Sequence, residues 1–458
     1  MAEHNFDVVI LGGGSGGYAA ALRGAQLGLS VALIERDKLG GTCLHRGCIP
    51  TKALLHSAEV ADVAREAASY GVQATLQGID MPAVNKYRDG IIDRLFKGLT
   101  GLVASKPITV VSGEGKMTGP KTITVNGDNY TGKNLVLATG SFSKTLPGLD
   151  IAGRVITSDQ ALQLDFVPEK AIVLGGGVIG VEFASIWKSF GCDVTIIEGL
   201  PNLVPNEDPA VSKALERAYR KRGINFKTGV RFSGVQQSAT GVVVTLESGE
   251  TFDAELLLVA VGRGPNTAGF GYEENGVKID RGYVLTNERL ETSVPGVYAA
   301  GDIVPGLQLA HRGFQQGIFI AEDIAGLKPA AIDELGIPKV TYCEPEIASV
   351  GLSEPKAAEK YGAENISVYE YNLGGNGKSQ ILGTAGFIKL IRKNNGPVIG
   401  IHMIGSRVGE QVGEAQLIVN WEAFPEEVAS LVHAHPTQNE ALGEAHLALA
   451  GKPLHAHA

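Results

Sequence analysis

One arrangement occurs twice in this chain, and it restricts the fold more than any other feature. An apolar run, Phe6 to Leu11, meets Gly12-Gly13-Gly14-Ser15-Gly16-Gly17, then an alanine- and leucine-rich stretch to about Gly28. A second apolar run, Ser30 to Ile34, ends at Glu35. In the middle of the chain Ala171–Leu174 leads into Gly175-Gly176-Gly177-Val178-Ile179-Gly180, a helical segment to about Phe190, and Asp193–Ile197 ending at Glu198. The last glycine and the acid stand the same 18 positions apart in both copies. This is the pattern of a βαβ dinucleotide unit. Gly12 and Gly175 permit the tight turn out of the strand. Gly14 and Gly177 let backbone approach a pyrophosphate, and Gly17 and Gly180 let helix pack on strand. The phosphate charge then faces free N–H groups and the positive end of the helix dipole. Glu35 and Glu198 can accept hydrogen bonds from a ribose 2′-OH. A lone G-x-G-x-x-G fits a plain glycine turn equally well; two, each in strand–helix–strand context with its own acid, do not.

Glu198 is followed by Gly199 and Leu200, with no arginine beside it to take a 2′-phosphate, which the acid would repel. The second unit is therefore expected to prefer NAD to NADP.

A chain of 458 residues exceeds one small core, and roughly two to four domains are expected. With 44% hydrophobic and 19% charged residues it is expected to be globular. A net charge of −9 argues against nucleic acid or an anionic membrane as partner. The run Phe6–Leu11 is too short and too soon ended by glycine for a signal peptide or a membrane span. A cytoplasmic enzyme is expected. Residues 59–105 carry alanines and i, i+3/i+4 apolar spacing and are expected to be helical. Residues 107–146 suggest short strands ending in Leu135–Ser141, where Thr139, Gly140 and Ser141 are candidate cofactor contacts. The related run Leu257–Gly262 closes the second unit, with Gly262 in the corresponding place. From about Ile337 strands and helices alternate without a nucleotide fingerprint, as in a separate terminal domain.

Four cysteines are too few for a secreted disulfide scaffold, and one close pair points to redox chemistry. It lies in Gly41-Thr42-Cys43-Leu44-His45-Arg46-Gly47-Cys48-Ile49-Pro50-Thr51-Lys52, where Cys43 stands eight residues after Glu35. On an ideal helix, positions five apart are turned about 140° and lie roughly 8–9 Å from each other. A disulfide requires about 4.4–6.8 Å between Cα atoms. Pairing would need a helix distorted between the cysteines, for which Gly47 supplies freedom, and Pro50 suits the first turn beyond. Two unlinked structural cysteines are the alternative. The spacing is wrong for a zinc knuckle, and no metal site is expected. A thiol–disulfide couple exchanging electrons with a nicotinamide needs a flavin between them, which assigns flavin to the first unit.

GGTCLHRGCIPTK resembles the active-site motif of the dihydrolipoamide dehydrogenase family, within the pyridine nucleotide–disulfide oxidoreductases. Thr292–Asp302 resembles that family's second flavin motif, and His433-Ala434-His435-Pro436-Thr437-Gln438-Asn439-Glu440 its H-x-H-P-T-x-x-E signature. The resemblance spans nearly the whole chain, in order. It implies two Rossmann-like dinucleotide-binding domains plus a C-terminal α+β dimerisation domain. Residues 1–146 would bind FAD, 147–268 NAD, 269–338 would complete the flavin site and 339–458 would form the interface of a homodimer. Cys48 would face the flavin and Cys43 exchange with substrate. His435, oriented by Glu440, would be the base and act in the partner subunit's site. Lys52 would lie near the flavin N5 and Glu182 near the nicotinamide. Asp302 would hold the ribitol, Gln308-Leu309-Ala310-His311 would pass beside the isoalloxazine, and Gly115 and Val230 would approach the two adenosines. The implied reaction is oxidation of dihydrolipoyl groups on lipoyl-bearing proteins of 2-oxo acid dehydrogenase or glycine cleavage systems.

The departures are His45 for asparagine and Thr51 for serine, neither at a residue the chemistry requires. Gly180, where NADPH-dependent relatives usually carry alanine, also fits NAD. Other substrates within the class, such as mycothione or a metal ion, stay open. So does, from another class, a nucleotide-binding scaffold without turnover. Cys192 and Cys343 are expected in the core, His433 in a structural role, and His455 and His457 in an incidental tail.

Overall fold

The computed structural model describes residues 2–456; His457 lies outside them. Among the described residues, the three largest of six sheets each anchor one part of the chain, and two of them repeat one plan. In the first, the strands Ile108–Ser112, Val31–Glu35, Glu3–Leu11 and Asp128–Leu137 lie side by side in parallel. Thr122–Val125 and Lys116–Gly119 extend it antiparallel. Val297–Ala299, far along the chain, adds a parallel strand against Asp128–Leu137. In the second, Asn225–Lys227, Asp193–Ile197, Lys170–Leu174, Leu256–Val259 and Val155–Thr157 are all parallel. Strands covered on both faces must be apolar throughout rather than alternating. Val8–Leu11 and Ala171–Leu174 accordingly have every side chain buried.

A short antiparallel pair, Ser141–Ser143 with Arg263–Pro265, joins the two units. The third sheet runs Lys339–Thr341, Glu346–Gly351, Val398–Gly405, Phe387–Lys393, Ile366–Asn372, wholly antiparallel. The helices Val408–Asn420 and Glu440–Leu449 share its core through Val408, Ala415, Leu442 and Ala445. This is the mixed α/β architecture expected, two dinucleotide folds followed by an α+β domain. Two consecutive acids fasten the second unit to the third sheet. Glu207 pairs with Lys339 at 2.8 Å, and buried Asp208 pairs with Lys389 at 2.8 Å.

The region 59–105 departs from the continuous helical reading. The helix Cys48–Glu66 runs on through a 3-10 turn, Ala67–Tyr70, and stops at Gly71, whose φ of +76° continues no helix. Residues 71–80 carry no regular element, and a new helix, Met81–Ala104, begins at Asp80. There the Asp80 carboxylate accepts from the Ala83 N–H, and Pro82 occupies the first turn. The apolar spacing of Val72, Leu76 and Ile79 conceals a boundary that the Asp80-Met81-Pro82 signal marks. Among the described residues no helix is long and apolar enough to cross a membrane.

Candidate active site

The glycines of each loop divide the work by position. Gly12 and Gly175 sit at φ of +106° and +110°, where a side chain would be strained, and a Cβ there would overlap the carbonyls of Ala138 and Ala260. A Cβ on Gly17 or Gly180 would overlap the carbonyl oxygen of Gly12 or Gly175. Gly14 and Gly177 face open space, and each caps its helix, Ser15–Gln26 and Val178–Phe190, in extended conformation. The free N–H groups of the first helical turn therefore face an open cradle that a side chain would fill, which suits an anionic diphosphate.

The two acids brace these loops. Glu35 accepts from the Gly13 N–H at 2.6 Å and from the Asp37 N–H at 2.8 Å. Glu198 accepts from Gly176 at 2.6 Å and Leu200 at 2.7 Å. Each carboxylate keeps further lone pairs for a ribose hydroxyl. Val230 lies alongside, its N–H donating to the Glu198 carbonyl at 3.2 Å.

A cleft of about 960 Å³, open solvent included, runs from the first loop across the sheet. Gly12, Gly14, Glu35, Gly115, Thr139, Gly140 and Ser141 all line it. Ser141 donates to the Asp302 carboxylate and accepts from Arg263 Nε at 2.8 Å. Gly313 packs against Ser15, Gly16 and Gly301, and Gly317 against Gly16. Those contacts bring Gly301–Asp302 and the start of the helix Ala310–Ile324 beside the first glycine loop. Gln308 reaches the Asp302 carbonyl at 3.5 Å, Leu309 caps the helix and Ala310 opens it. His311 instead binds the Pro338 carbonyl at 2.8 Å. Gly262 lies at φ +104°, its carbonyl taking the Lys144 N–H. Size and lining fit a dinucleotide cofactor.

The cysteine segment starts against this loop, a Cβ on Gly41 falling 2.8 Å from the Gly14 Cα. A six-residue helix, Gly41–Arg46, ends at Gly47, and Cys48 begins the next helix. Gly47 has φ −144° and ψ −107°, the distortion that pairing requires. Cys43 and Cys48 are free thiols, hydrogen-bonded to one another. That hydrogen bond, aided by the Lys52 charge against the cost of burial, lowers Cys48 to about 7. Cys43, the donor, is pushed far up by the same bond, by burial and by the neighbouring thiolate. The thiolate of the pair is therefore favoured at Cys48, the cysteine nearer the Lys52 charge, over Cys43.

Lys52, one turn on, donates to both oxygens of Glu182 at 2.9 Å. Glu182 also accepts from the Tyr342 N–H at 2.9 Å, and Lys52 lies 4.6 Å from the Tyr342 ring centroid. Burial opposes the Lys52 charge, but Glu182 outweighs it and holds the amine above its ordinary value.

His435 stands on the third domain, its side chain 75% exposed. Its Nδ1 lies 2.7 Å from Glu440 Oε1, and Glu440 Oε2 accepts from the Thr437 N–H at 2.7 Å. Burial would raise Glu440, yet the Thr437 N–H and the His435 ring hold it low, hence ionised. The contact occupies Nδ1 of an exposed ring, a geometry that suits a base held by an orienting acid.

The family model described as pyridine nucleotide-disulphide oxidoreductase matches residues 6–317, and its dimerisation domain matches 337–446. The chain belongs to this family. A dihydrolipoyl dehydrogenase of Bacillus subtilis is 41% identical over 98% of this chain and 99% of its own length. The crystal structure of LpdA from Mycobacterium tuberculosis superposes with a TM-score of 0.90 at 26% identity, covering 98% of this chain and 100% of that one. RclA of Escherichia coli, titled a flavoprotein disulfide reductase in a Cu(II) complex, gives 0.88 at 25% identity, covering 97% and 100%.

Within this family member, sequence reasoning passed over several site residues. Arg263 Nη2 also donates to the Ser141 carbonyl at 2.9 Å, and Asn266 exchanges hydrogen bonds with Thr139 and Gly140. Both follow Gly262, and a short Arg-Gly-Pro-Asn run behind a cofactor glycine was the available signal. His45 donates from Nε2 to the Leu39 carbonyl at 2.9 Å and meets the Phe96 ring edge-on, so it secures the cysteine segment. Cys192 and Cys343 are buried in one apolar cluster that joins the second unit to the third sheet. His433 binds Glu414, and His455 binds Glu444 at 3.0 Å.

Proposed function

We propose that this chain oxidises protein-bound dihydrolipoyl groups, with NAD⁺ as the final acceptor. The observation that carries the reading is the Cys43–Cys48 pair, polarised so that Cys48 bears the negative charge, beside the first glycine loop and the Lys52–Glu182 link to the second unit. Residues 1–146 with 269–338 would hold FAD and 147–268 NAD, while 339–458 would pair two copies. Asp302, Ser141 and the Gly14 cradle would fix the flavin dinucleotide, and Gly177 with Glu198 the nicotinamide one. When bound, FAD supplies two-electron transfer between a dithiol and a nicotinamide.

The chain's residues supply the rest. His435 Nε2 takes a proton from one substrate thiol, while Glu440 holds the ring and stabilises its charge. The substrate thiolate attacks Cys43 Sγ of the oxidised pair, forming a mixed disulfide and breaking the Cys43–Cys48 bond. Cys48 leaves as a thiolate beside Lys52. The second substrate thiol, once deprotonated, attacks the mixed disulfide, releasing the cyclic disulfide and the Cys43 thiolate, which takes up a proton. The enzyme has gained two electrons and the substrate has lost them.

The base is exposed on the domain matched as a dimerisation domain, which supports a homodimer completing each site with its partner's His435. The substrate arm would come from lipoyl-bearing proteins. A redox pair used in turnover suits a reducing compartment, the cytoplasm. Visible spectra before and after adding dihydrolipoamide test the reading. A yellow protein that develops a long-wavelength thiolate–flavin band, then forms NADH with NAD⁺, is expected. A yellow protein that ignores dihydrolipoamide yet shows the band with NADH would move the substrate to another disulfide.

A further inference from the structure

The His435 side chain is 75% exposed, so its position depends largely on the backbone from 433 to 440 and on Glu440. Inside that segment Thr437 Oγ1 donates to the Ala434 carbonyl at 2.7 Å, and Glu440 receives the Thr437 N–H. From outside, Asn376 donates to the Thr437 carbonyl at 3.0 Å and Gln438 bonds Ser379 and Ser406, which hold the middle of the segment. One side chain reaches both ends. Glu414, on the helix Val408–Asn420, accepts from His433 Nε2 through Oε1 at 2.8 Å and from the Asn439 amide through Oε2. His433 stands two residues before the base, and Asn439 one before the orienting acid. Both contacts are sheltered, His433 being only 13% exposed. Gly443 lets His433 sit against the helix Glu440–Leu449, since a Cβ there would fall 2.5 Å from its Nδ1.

We propose that Glu414 is a positioning residue for the base, its single carboxylate clamping both ends of the segment that bears His435 and Glu440. This rests on the reading that His435 takes the substrate proton. A carboxylate suits the place because both of its oxygens accept and both neighbours donate. Glutamine would present one donor to one of them and keep half the clamp. Alanine would keep none.

Charges around the clamp agree with it. The Glu414 hydrogen bond, against burial, raises His433, which also feels Glu440 and His446. His446 is held neutral by burial, which drops it to about 4. Glu414 therefore favours the protonated form of His433, while the Glu440 carboxylate makes its hydrogen bond to His435.

A displacement near 1 Å at a reacting group costs on the order of a hundredfold in rate. E414A is expected to lower kcat for dihydrolipoamide by roughly tenfold or more, with E414Q between it and the parent. KM for NAD⁺, the flavin spectrum and NADH–ferricyanide turnover, which need no base, are expected to stay unchanged. The hydrogen bond from His435 Nδ1 to Glu440, followed through the ring N–H resonance in NMR of ring-labelled histidine, is expected to weaken in E414A as Glu440 loses its alignment. Parental kcat with an unchanged Nδ1–H resonance in E414A would overturn the clamp, as would equal loss of both turnovers. An inactive parent with dihydrolipoamide would instead overturn the function proposed above, and the NMR resonance would still decide the clamp.

Discussion

Lys52 Nζ donates to both carboxylate oxygens of Glu182, at 2.9 Å each, and so ties the helix that carries Cys48 to the first helix of the second nucleotide unit. Glu182 is only 3% exposed, whereas Lys52 is 32% exposed. Removing the cation leaves a buried carboxylate with the Tyr342 N–H as its remaining partner in this network. Breaking a buried pair costs about 3–5 kcal/mol, less where one member reaches water. Lys52→Met is therefore expected to lower unfolding free energy by about 2 kcal/mol in denaturant titration. It is also expected to raise the Cys48 titration, since Lys52 favours the thiolate.

The thiol pair gives a sharper pH prediction. With Cys48 near 7 and Cys43 far above, the dithiol enzyme holds one thiolate above neutrality and none well below it. Alkylation of the reduced protein at Cys48 is expected to fall off as pH drops through about 7. The sign follows from the depressed value: the thiolate is present above it and lost below. The Cys43 hydrogen bond is the leading cause, so Cys43→Ala is expected to move the transition up towards an ordinary thiol, and Cys43→Ser, which keeps a donor, only part of the way. A Cys48 titration that ignores Cys43→Ala would contradict this origin.

Turnover should also report the other dyad. Burial would raise Glu440, but the Thr437 N–H and the His435 ring hold it low, so it is ionised at neutral pH. Its carboxylate lies 2.7 Å from His435 Nδ1 and fixes the ring through that nitrogen. Glu440→Gln is expected to reduce kcat for dihydrolipoamide on the order of tenfold or more. Flavin binding should be untouched. Parental kcat in Glu440→Gln would remove Glu440 from the mechanism.

What the sequence carried and what it did not divide along a physical line. The glycine loops, the strands around them and the cysteine segment were legible because each depends on spacing along a few consecutive residues. The break at Gly47 was legible because helix geometry forbids pairing five positions apart. Contacts set by distant parts of the chain were not. Arg263 meets Ser141 across 122 residues, and Glu414 meets Asn439 across 25. Neither lies in a pattern of its own, so only the folded chain brings them to the site. The segment 71–80 differs for the opposite reason: helical apolar spacing persists through it at Val72, Leu76 and Ile79 while Gly71 and Asp80 end one helix and start another.

The second glycine loop offers a test that separates folding from binding. A Cβ at Gly177 meets nothing within 4 Å, whereas one at Gly180 would overlap the Gly175 carbonyl. Gly177→Ala is then expected to leave stability and the flavin spectrum near the parent, because φ there is −76° and alanine adopts it without strain. Its methyl would enter the cradle where a diphosphate must approach the helix N-terminus. KM for NAD⁺ should rise at least tenfold while reduction of the flavin by dihydrolipoamide keeps its rate. Gly180→Ala should instead force helix and strand apart and lower the midpoint of thermal unfolding along with NAD⁺ affinity. Steady-state kinetics in NAD⁺ beside thermal melts of the two variants would decide. If Gly177→Ala bound NAD⁺ as the parent does, the second unit would not hold its dinucleotide at this loop.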